Sequence, residues 1–184
     1  MGESRRISSK SISQVVTVDE AGRATGVAGL DEAHRPPGRL HLAVSVQLVD
    51  EHNRWIVQRR SSSKLMFASR WANSCCTHPT PDESLAAAAA RRVSEELGVG
   101  VMRLEHRGTF IYKAYDAASG MVEHELDHVY LGRATAAPAP SRAEIDEIAH
   151  LSLGDVTALF GDAAAAPWAQ EVLALARPSD YAVP

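Results

Sequence analysis

The segment from Thr80 to Gly98 constrains the fold more than any other, because both ends of a helix can be read from it. Thr80, Pro81 and Glu83 supply an N-cap, a first-turn proline and a capping-box glutamate, and Gly98 supplies the residue that follows the last turn. The spacing predicts a helix over 81–97. Its run from Ala86 to Ala90 combines high helix propensity with side chains small enough for a sheet to approach closely. Arg92 and Glu96, four apart, read on their own as an exposed ion pair worth well under about 1 kcal/mol.

The rest of the domain reads mostly as strands. "LHLAVSVQLVD" and "RWIVQRR" alternate around the turn "EHN", and "GTFIYKAY" and "VEHELDHVYLG" flank "DAASG". "ATAAPAPSR" is a surface connection, "EIAHLSL" a last strand, and "PWAQEVLALA" a final amphipathic helix. Mixed strands with few, separate helices imply an α+β domain, a curved mixed sheet packed between helices. One domain over 15–177 is expected, with a polar, disordered segment at 1–14 and a tail at 178–184. A net charge of −4 offers no basic field for nucleic acid. No apolar run approaches the ~20 residues of a membrane span, and the amino terminus lacks a signal-peptide core, so a cytoplasmic protein is expected.

"NSCCTHPTPDE", residues 73–83, holds both cysteines of the chain. Neighbouring Cα atoms lie about 3.8 Å apart, too close for an ordinary disulfide, so both thiols are expected free. In an extended segment Cys76 and His78 share one face, while Cys75 and Thr77 take the other. Read alone, such a pair is by default a small buried hydrophobe beside a hydrogen-bonded histidine; the alternation also allows Cys76 and His78 to share a site, and the rest of the chain decides.

From Glu83, seven residues lead to Arg91-Arg92-Val93-Ser94-Glu95-Glu96-Leu97-Gly98-Val99. This resembles the Nudix box, G-x5-E-x7-R-E-U-x-E-E-x-G-U, with U aliphatic. Thr77 stands where the box has its glycine, and Arg92 where it has a glutamate that helps hold magnesium in Nudix hydrolases. The resemblance implies the Nudix α/β/α sandwich and argues against the usual hydrolysis.

His34 and His41 flank "RPPGR", and Glu123 and Glu125 lie two apart on a strand whose acidic face continues to Asp127. Alone, such a face is usually a solvated edge. Together with "SCCTHP", these residues resemble the type I isopentenyl-diphosphate isomerases of the Nudix superfamily, over about residues 15–175. That resemblance implies His34, His41, His78, Glu123 and Glu125 as ligands of an octahedral Mn²⁺ or Zn²⁺. It implies Glu96 as a ligand of Mg²⁺ carried on the substrate diphosphate, and Arg60, Lys64 and Arg92 as diphosphate-binding cations. Cys76 falls at the catalytic thiol, Glu125 and Tyr112 at the opposing acid/base pair, and Trp168 at the wall of the alkene pocket.

Moving the double bond needs a proton added to one carbon and another removed, through a tertiary carbocation with water excluded. Leu30 stands where family members commonly carry a diphosphate-binding lysine, and Phe67, Ala68, Ser69, Ala72 and Thr77 replace tryptophan, proline, glycine, threonine and glycine. These departures motivate an alternative, the same alkene protonation on a larger prenylated substrate, ending in isomerisation or cyclisation. A Nudix diphosphohydrolase and a non-catalytic binding module stand behind it. The expected partner is a small prenyl diphosphate or prenylated molecule, and a monomer is expected.

Overall fold

The computed structural model describes residues 13–177. The expected N-terminal segment lies almost wholly, and the expected tail wholly, outside the described residues. Nine strands form one mixed sheet built around β3 (His41–Val49). Along its whole length β3 pairs in parallel with β8 (Met121–Ala134), so that His41 lies beside Glu125 and Ser45 beside Val129. Its other edge is shared by three short antiparallel partners. β1 (Gln14–Val18) meets it at His41, β6 (Cys75–Thr77) at Val44 to Val46, and β4 (Trp55–Arg60) at Leu48 and Val49. β2 (Ala24–Gly29) continues the sheet beyond β1, β5 (Trp71–Ala72) and β9 (Ile145–Leu151) pair with β4, and β7 (Val101–Asp116) pairs with β8.

Alternation along β3 divides the core between the two faces of the sheet. Val44, Val46 and Leu48 pack with Ile56, Cys75 and Tyr130 under Ala89, Val93 and Leu97 of α2 (Leu85–Leu97). On the opposite face Trp55, Val57 and Val129 pack with Phe160 of α3 (Leu153–Phe160) and Val172 and Leu173 of α4 (Ala169–Ala176). A short α1 (Leu30–His34) closes one end.

The expected sandwich, hairpins and final helix are present, with four differences. The hairpin of β1 and β2, α1 and α3 were not anticipated; each is short. The marked helix begins four residues later than its spacing predicts. Ser84 caps it, its Oγ accepting from Ala87 N–H at 3.2 Å, because Ser84 directly precedes the unbroken Leu-Ala run. Residues 80–83 form a separate turn, in which the Glu83 carboxylate accepts from Thr80 N–H at 3.2 Å and is held by Arg91 at 2.8 Å. The other end is as expected: Gly98 takes φ 65°, and a Cβ there would lie 2.8 Å from the Ala139 carbonyl. Among the described residues no helix is long and apolar enough to cross a membrane.

Candidate functional site

The sheet opens at one end into a cavity of about 420 Å³ that Arg92 of α2 also borders. His34, Cys76, His78, Tyr112, Glu123, Glu125 and Trp168 line it, together with Arg60, Lys64 and Arg92. The parallel register of β3 and β8 sets His41 beside Glu125, and the antiparallel register of β7 and β8 sets Tyr112 across from the same glutamate. His78 follows directly on β6, and α1 delivers His34.

His34, His41, His78, Glu123 and Glu125 present nitrogen and carboxylate atoms that all lie within 4.8 Å of one another. His41 is wholly buried, and His34, Glu123 and Glu125 nearly so. The imidazoles are oriented from behind. His34 Nδ1–H donates to the Leu30 carbonyl and His41 Nδ1–H to the Arg39 carbonyl, each at 2.7 Å, which turns both Nε2 atoms inward. There His41 Nε2 meets His78 Nε2 at 3.2 Å, His34 Nε2 meets Glu123 Oε2 at 2.9 Å, and His78 Nε2 meets Glu125 Oε1 at 2.9 Å. Ring nitrogens and carboxylates in such contact need positive charge among them, as protons or as a cation. Three imidazoles and two carboxylates are a donor set suited to a divalent transition metal or zinc.

Glu125 faces two ways. Its Oε1 belongs to this cluster, while its Oε2 accepts from the Tyr112 hydroxyl at 2.6 Å. Burial and the charge of Glu125 push the phenol well above its ordinary range, so it stays a donor. Burial would raise Glu125 itself, but hydrogen bonds from His41 and His78 outweigh it and hold the carboxyl low.

Cys75 and Cys76 are free, and they point apart as the alternation predicts. Cys75 is wholly buried against α2, whereas Cys76 faces the cavity. Ser45 gives its hydroxyl proton to Asp127 at 2.6 Å and lies 3.2 Å from Cys76 Sγ. Asn73 Nδ2–H donates to Sγ at 3.3 Å, and Asn73 Oδ1 accepts from Trp168 Nε1–H at 3.0 Å. Burial, with the charge of Asp127, pushes the Cys76 thiol up to about 12 against the hydrogen bonds of Ser45 and Asn73. It is therefore a protonated acid at neutral pH. Trp168 is locked edge-on to Phe67, with ring centroids 5.4 Å apart, and Arg60 sits 5.3 Å from the indole centroid.

Two bland readings from the sequence are overturned. The acidic face of β8 is not a solvated edge: Glu123, Glu125 and Asp127 are all buried, held against His34, His78 and Ser45 respectively. The Arg92–Glu96 pair is not exposed either. Arg92 Nη2 reaches Glu96 Oε1 at 2.5 Å, both side chains are largely buried, and Gln58 donates to the other Glu96 oxygen at 3.3 Å. Burial raises the Glu96 carboxyl, with Arg92 opposing. Glu96 sits behind Arg92 and is not on the cavity wall.

The expected diphosphate cations line the cavity already engaged. Arg60 donates to the carbonyls of Met66 and Phe67, and Lys64 and Arg92 both bind Glu144. Carboxylates beside phosphate-binding cations suit Mg²⁺ carried on a diphosphate. Glu144, Asn73 and Ser45 were missed in the sequence. Ser45 had a signal, its place on the cavity-facing alternation of β3; Glu144 had none. Thr77, in the place of the box glycine, is accommodated in regular β6, paired with Val44. Leu30 lies on the cavity wall.

Comparison with known proteins agrees with this geometry. The NUDIX domain model matches residues 39–175. The chain is 47% identical over 164 residues to an isopentenyl-diphosphate Delta-isomerase of Nocardia farcinica, covering 88% of this chain and 93% of that protein. It is 42% identical over 162 residues to one of Streptomyces coelicolor, covering 88% and 82%. Among solved structures, DR0079 of Deinococcus radiodurans superposes with a TM-score of 0.67 at 21% identity, covering 89% of this chain and 99% of that one. A MutT protein of Methanosarcina mazei superposes at 0.61 with 20% identity, covering 73% and 91%. At such identities the likeness carries the fold. The chain belongs to the NUDIX family and, within it, to the isopentenyl-diphosphate Delta-isomerases.

Proposed function

We propose that this protein interconverts isopentenyl and dimethylallyl diphosphate. The observation that carries the reading is the pairing of a protonated thiol, Cys76, with a carboxylate–phenol pair, Glu125 and Tyr112, on the wall of one cavity. One of these groups adds a proton to the terminal alkene carbon, giving a tertiary carbocation, and the other removes a proton from the carbon two bonds away. No atom is gained or lost. Burial of the site excludes water that would quench the cation, and the Trp168 indole contributes a cation–π contact of about 0.5–2 kcal/mol.

His34, His41, His78, Glu123 and Glu125 would hold Mn²⁺ or Zn²⁺, which when bound tunes the proton affinity of Glu125. Glu96 would take part in holding Mg²⁺ brought by the substrate, while Arg60, Lys64 and Arg92 bind the diphosphate. Free thiols suit a cytoplasmic enzyme, which we read as a monomer built as one domain over 15–177.

The cavity itself favours a second reading. Its volume lies within the roughly 300–1,000 Å³ of ordinary ligand sites, and Leu30, Leu65, Met66 and Met121 make part of its wall apolar. A longer prenylated substrate, isomerised or cyclised by the same acid, fits that wall. Hydrolysis is disfavoured by Arg92 in the metal position of the box.

Product analysis by NMR separates these readings. Metal-loaded protein with Mg²⁺ and isopentenyl diphosphate should yield dimethylallyl diphosphate. Inorganic phosphate as the product would instead establish hydrolysis, and turnover confined to longer prenyl substrates would overturn the primary reading.

A further inference from the structure

Glu144 lies on the cavity wall but outside the five-residue cluster. Its Oε2 accepts from Lys64 Nζ at 2.5 Å and from Arg92 Nη2 at 3.0 Å. These are two of the three cations that the isomerase reading gives to the substrate diphosphate. The carboxylate is held in place by its backbone. Ser61 N–H, which opens the loop carrying Lys64, donates to the Glu144 carbonyl at 2.9 Å, and Glu144 N–H donates to the Ser141 carbonyl at 2.9 Å. Ser141 N–H in turn donates at 2.8 Å to the carbonyl of Glu96, one turn beyond Arg92 on α2. The acid is thus tied to both elements that supply its cationic partners.

Lys64 and Arg92, outweighing burial, hold the Glu144 carboxyl below its usual range, so it is ionised at neutral pH. A prenyl diphosphate, with its own negative charges, arrives at cations that already have an anion. Two anions cannot share Lys64 and Arg92 in a partly buried cavity without strong repulsion. A divalent cation on the diphosphate changes that balance. Mg²⁺ takes one or two carboxylates plus phosphate oxygens, and Glu144 and Glu96 already converge on a single nitrogen, Arg92 Nη2.

Resting on the isomerase reading, we propose that Glu144 is a positioning residue, an internal carboxylate that holds Lys64 and Arg92 in place of the diphosphate and gives way only to a magnesium-bearing diphosphate. It makes recognition of the diphosphate conditional on the metal. Glu144 touches the cations and acts on the substrate through them.

The test is calorimetric titration of the zinc-loaded protein with inorganic pyrophosphate, with and without Mg²⁺, for the wild type and Glu144→Gln. The wild type should bind the magnesium complex at least about tenfold more tightly than free pyrophosphate. Glu144→Gln should bind free pyrophosphate about tenfold more tightly than the wild type does, with the gain from Mg²⁺ reduced to about threefold or less. Equal wild-type affinity for the two forms would overturn the proposal, whatever the variant does. Magnesium-dependent binding that is unchanged in a folded Glu144→Gln would overturn the role of Glu144 and leave the isomerase reading standing. Should that variant not fold, Glu144→Ala must shift the free-pyrophosphate affinity in the same sense, and no shift overturns the proposal. A wild type that binds neither form overturns the proposal and the diphosphate reading together.

Discussion

Cys75 and Cys76 share a peptide bond and lie in different chemical surroundings. Cys75 faces α2 among Val44, Val46, Ala89 and Val93, in a close-packed aliphatic layer. Cys76 faces the cavity, where Ser45, Asn73 and Asp127 surround it. The same contrast runs along the sheet. The layer around Cys75 under α2 is aliphatic and serves stability, whereas the opposite face carries at one end the histidines and carboxylates of the site, with Arg92 reaching the cavity from α2 itself. β3 itself begins in the site at His41 and ends at the turn after Val49, which Asp50 organises. A strand with period two can therefore place a nucleus of stability and a reactive group side by side, one residue apart.

The largest expected effect tests that division directly. Cys76→Ala should lower turnover by about a thousandfold or more while leaving the unfolding midpoint nearly unchanged. Cys75→Ala should keep turnover within a few fold and cost about 1–2 kcal/mol of stability in denaturant titration. Equal losses of activity would break the comparison.

Next in size is His41→Ala. With His41 wholly buried and its Nδ1 braced by Arg39, loss of its ring should weaken metal binding by at least about tenfold, read as metal content after dialysis. Retained metal would remove His41 from the ligand set.

At the other end of β3 the effect should fall on stability alone, and should depend on pH. Burial opposes ionisation of Asp50, but the backbone N–H of Arg54, the His150 ring and the N–H of His52 outweigh it and lower its pKa to about 2. A folded pKa below the unfolded one contributes stability above about pH 4, which is lost as pH falls toward 2. Asp50→Asn should cost about 1–2 kcal/mol at pH 6, and the difference from wild type should shrink at pH 3. A difference that is constant with pH would show that the carboxylate charge is not what stabilises the turn.

The smallest effect is expected at Ser69, which holds φ 59° in an exposed position of the 61–70 loop. Ser69→Gly relieves that left-handed strain and should stabilise by about 0.5–1 kcal/mol. Destabilisation would mean that the serine side chain matters to the loop.

The cysteine facing, the C-terminal end of α2 and both central hairpins were legible because they depend on local periodicity and on single residues with strong conformational preferences, such as Gly98. The start of α2 was misread because Thr80 and Ser84 are both competent caps, and the Glu83–Thr80 bond closes a separate turn ahead of the helix that Ser84 caps. The burial of Arg92, Glu96 and Asp127 depends on what covers them, which no short window contains. Glu144 meets Lys64 only across 80 residues of chain, and nothing local marks it. The five residues gathered around His41 were legible through resemblance alone, since no spacing in the sequence shows that β3 and β8 run in register.

The most direct measurement is deuterium incorporation by NMR during turnover of isopentenyl diphosphate in D₂O, comparing the wild type with Cys76→Ala. Dimethylallyl diphosphate bearing deuterium in a methyl group from the wild type, and none from folded, metal-loaded Cys76→Ala, is the predicted result. Product without deuterium from the wild type, or labelled product formed equally by both proteins, would contradict a protonation mechanism in which the cavity-facing thiol takes part.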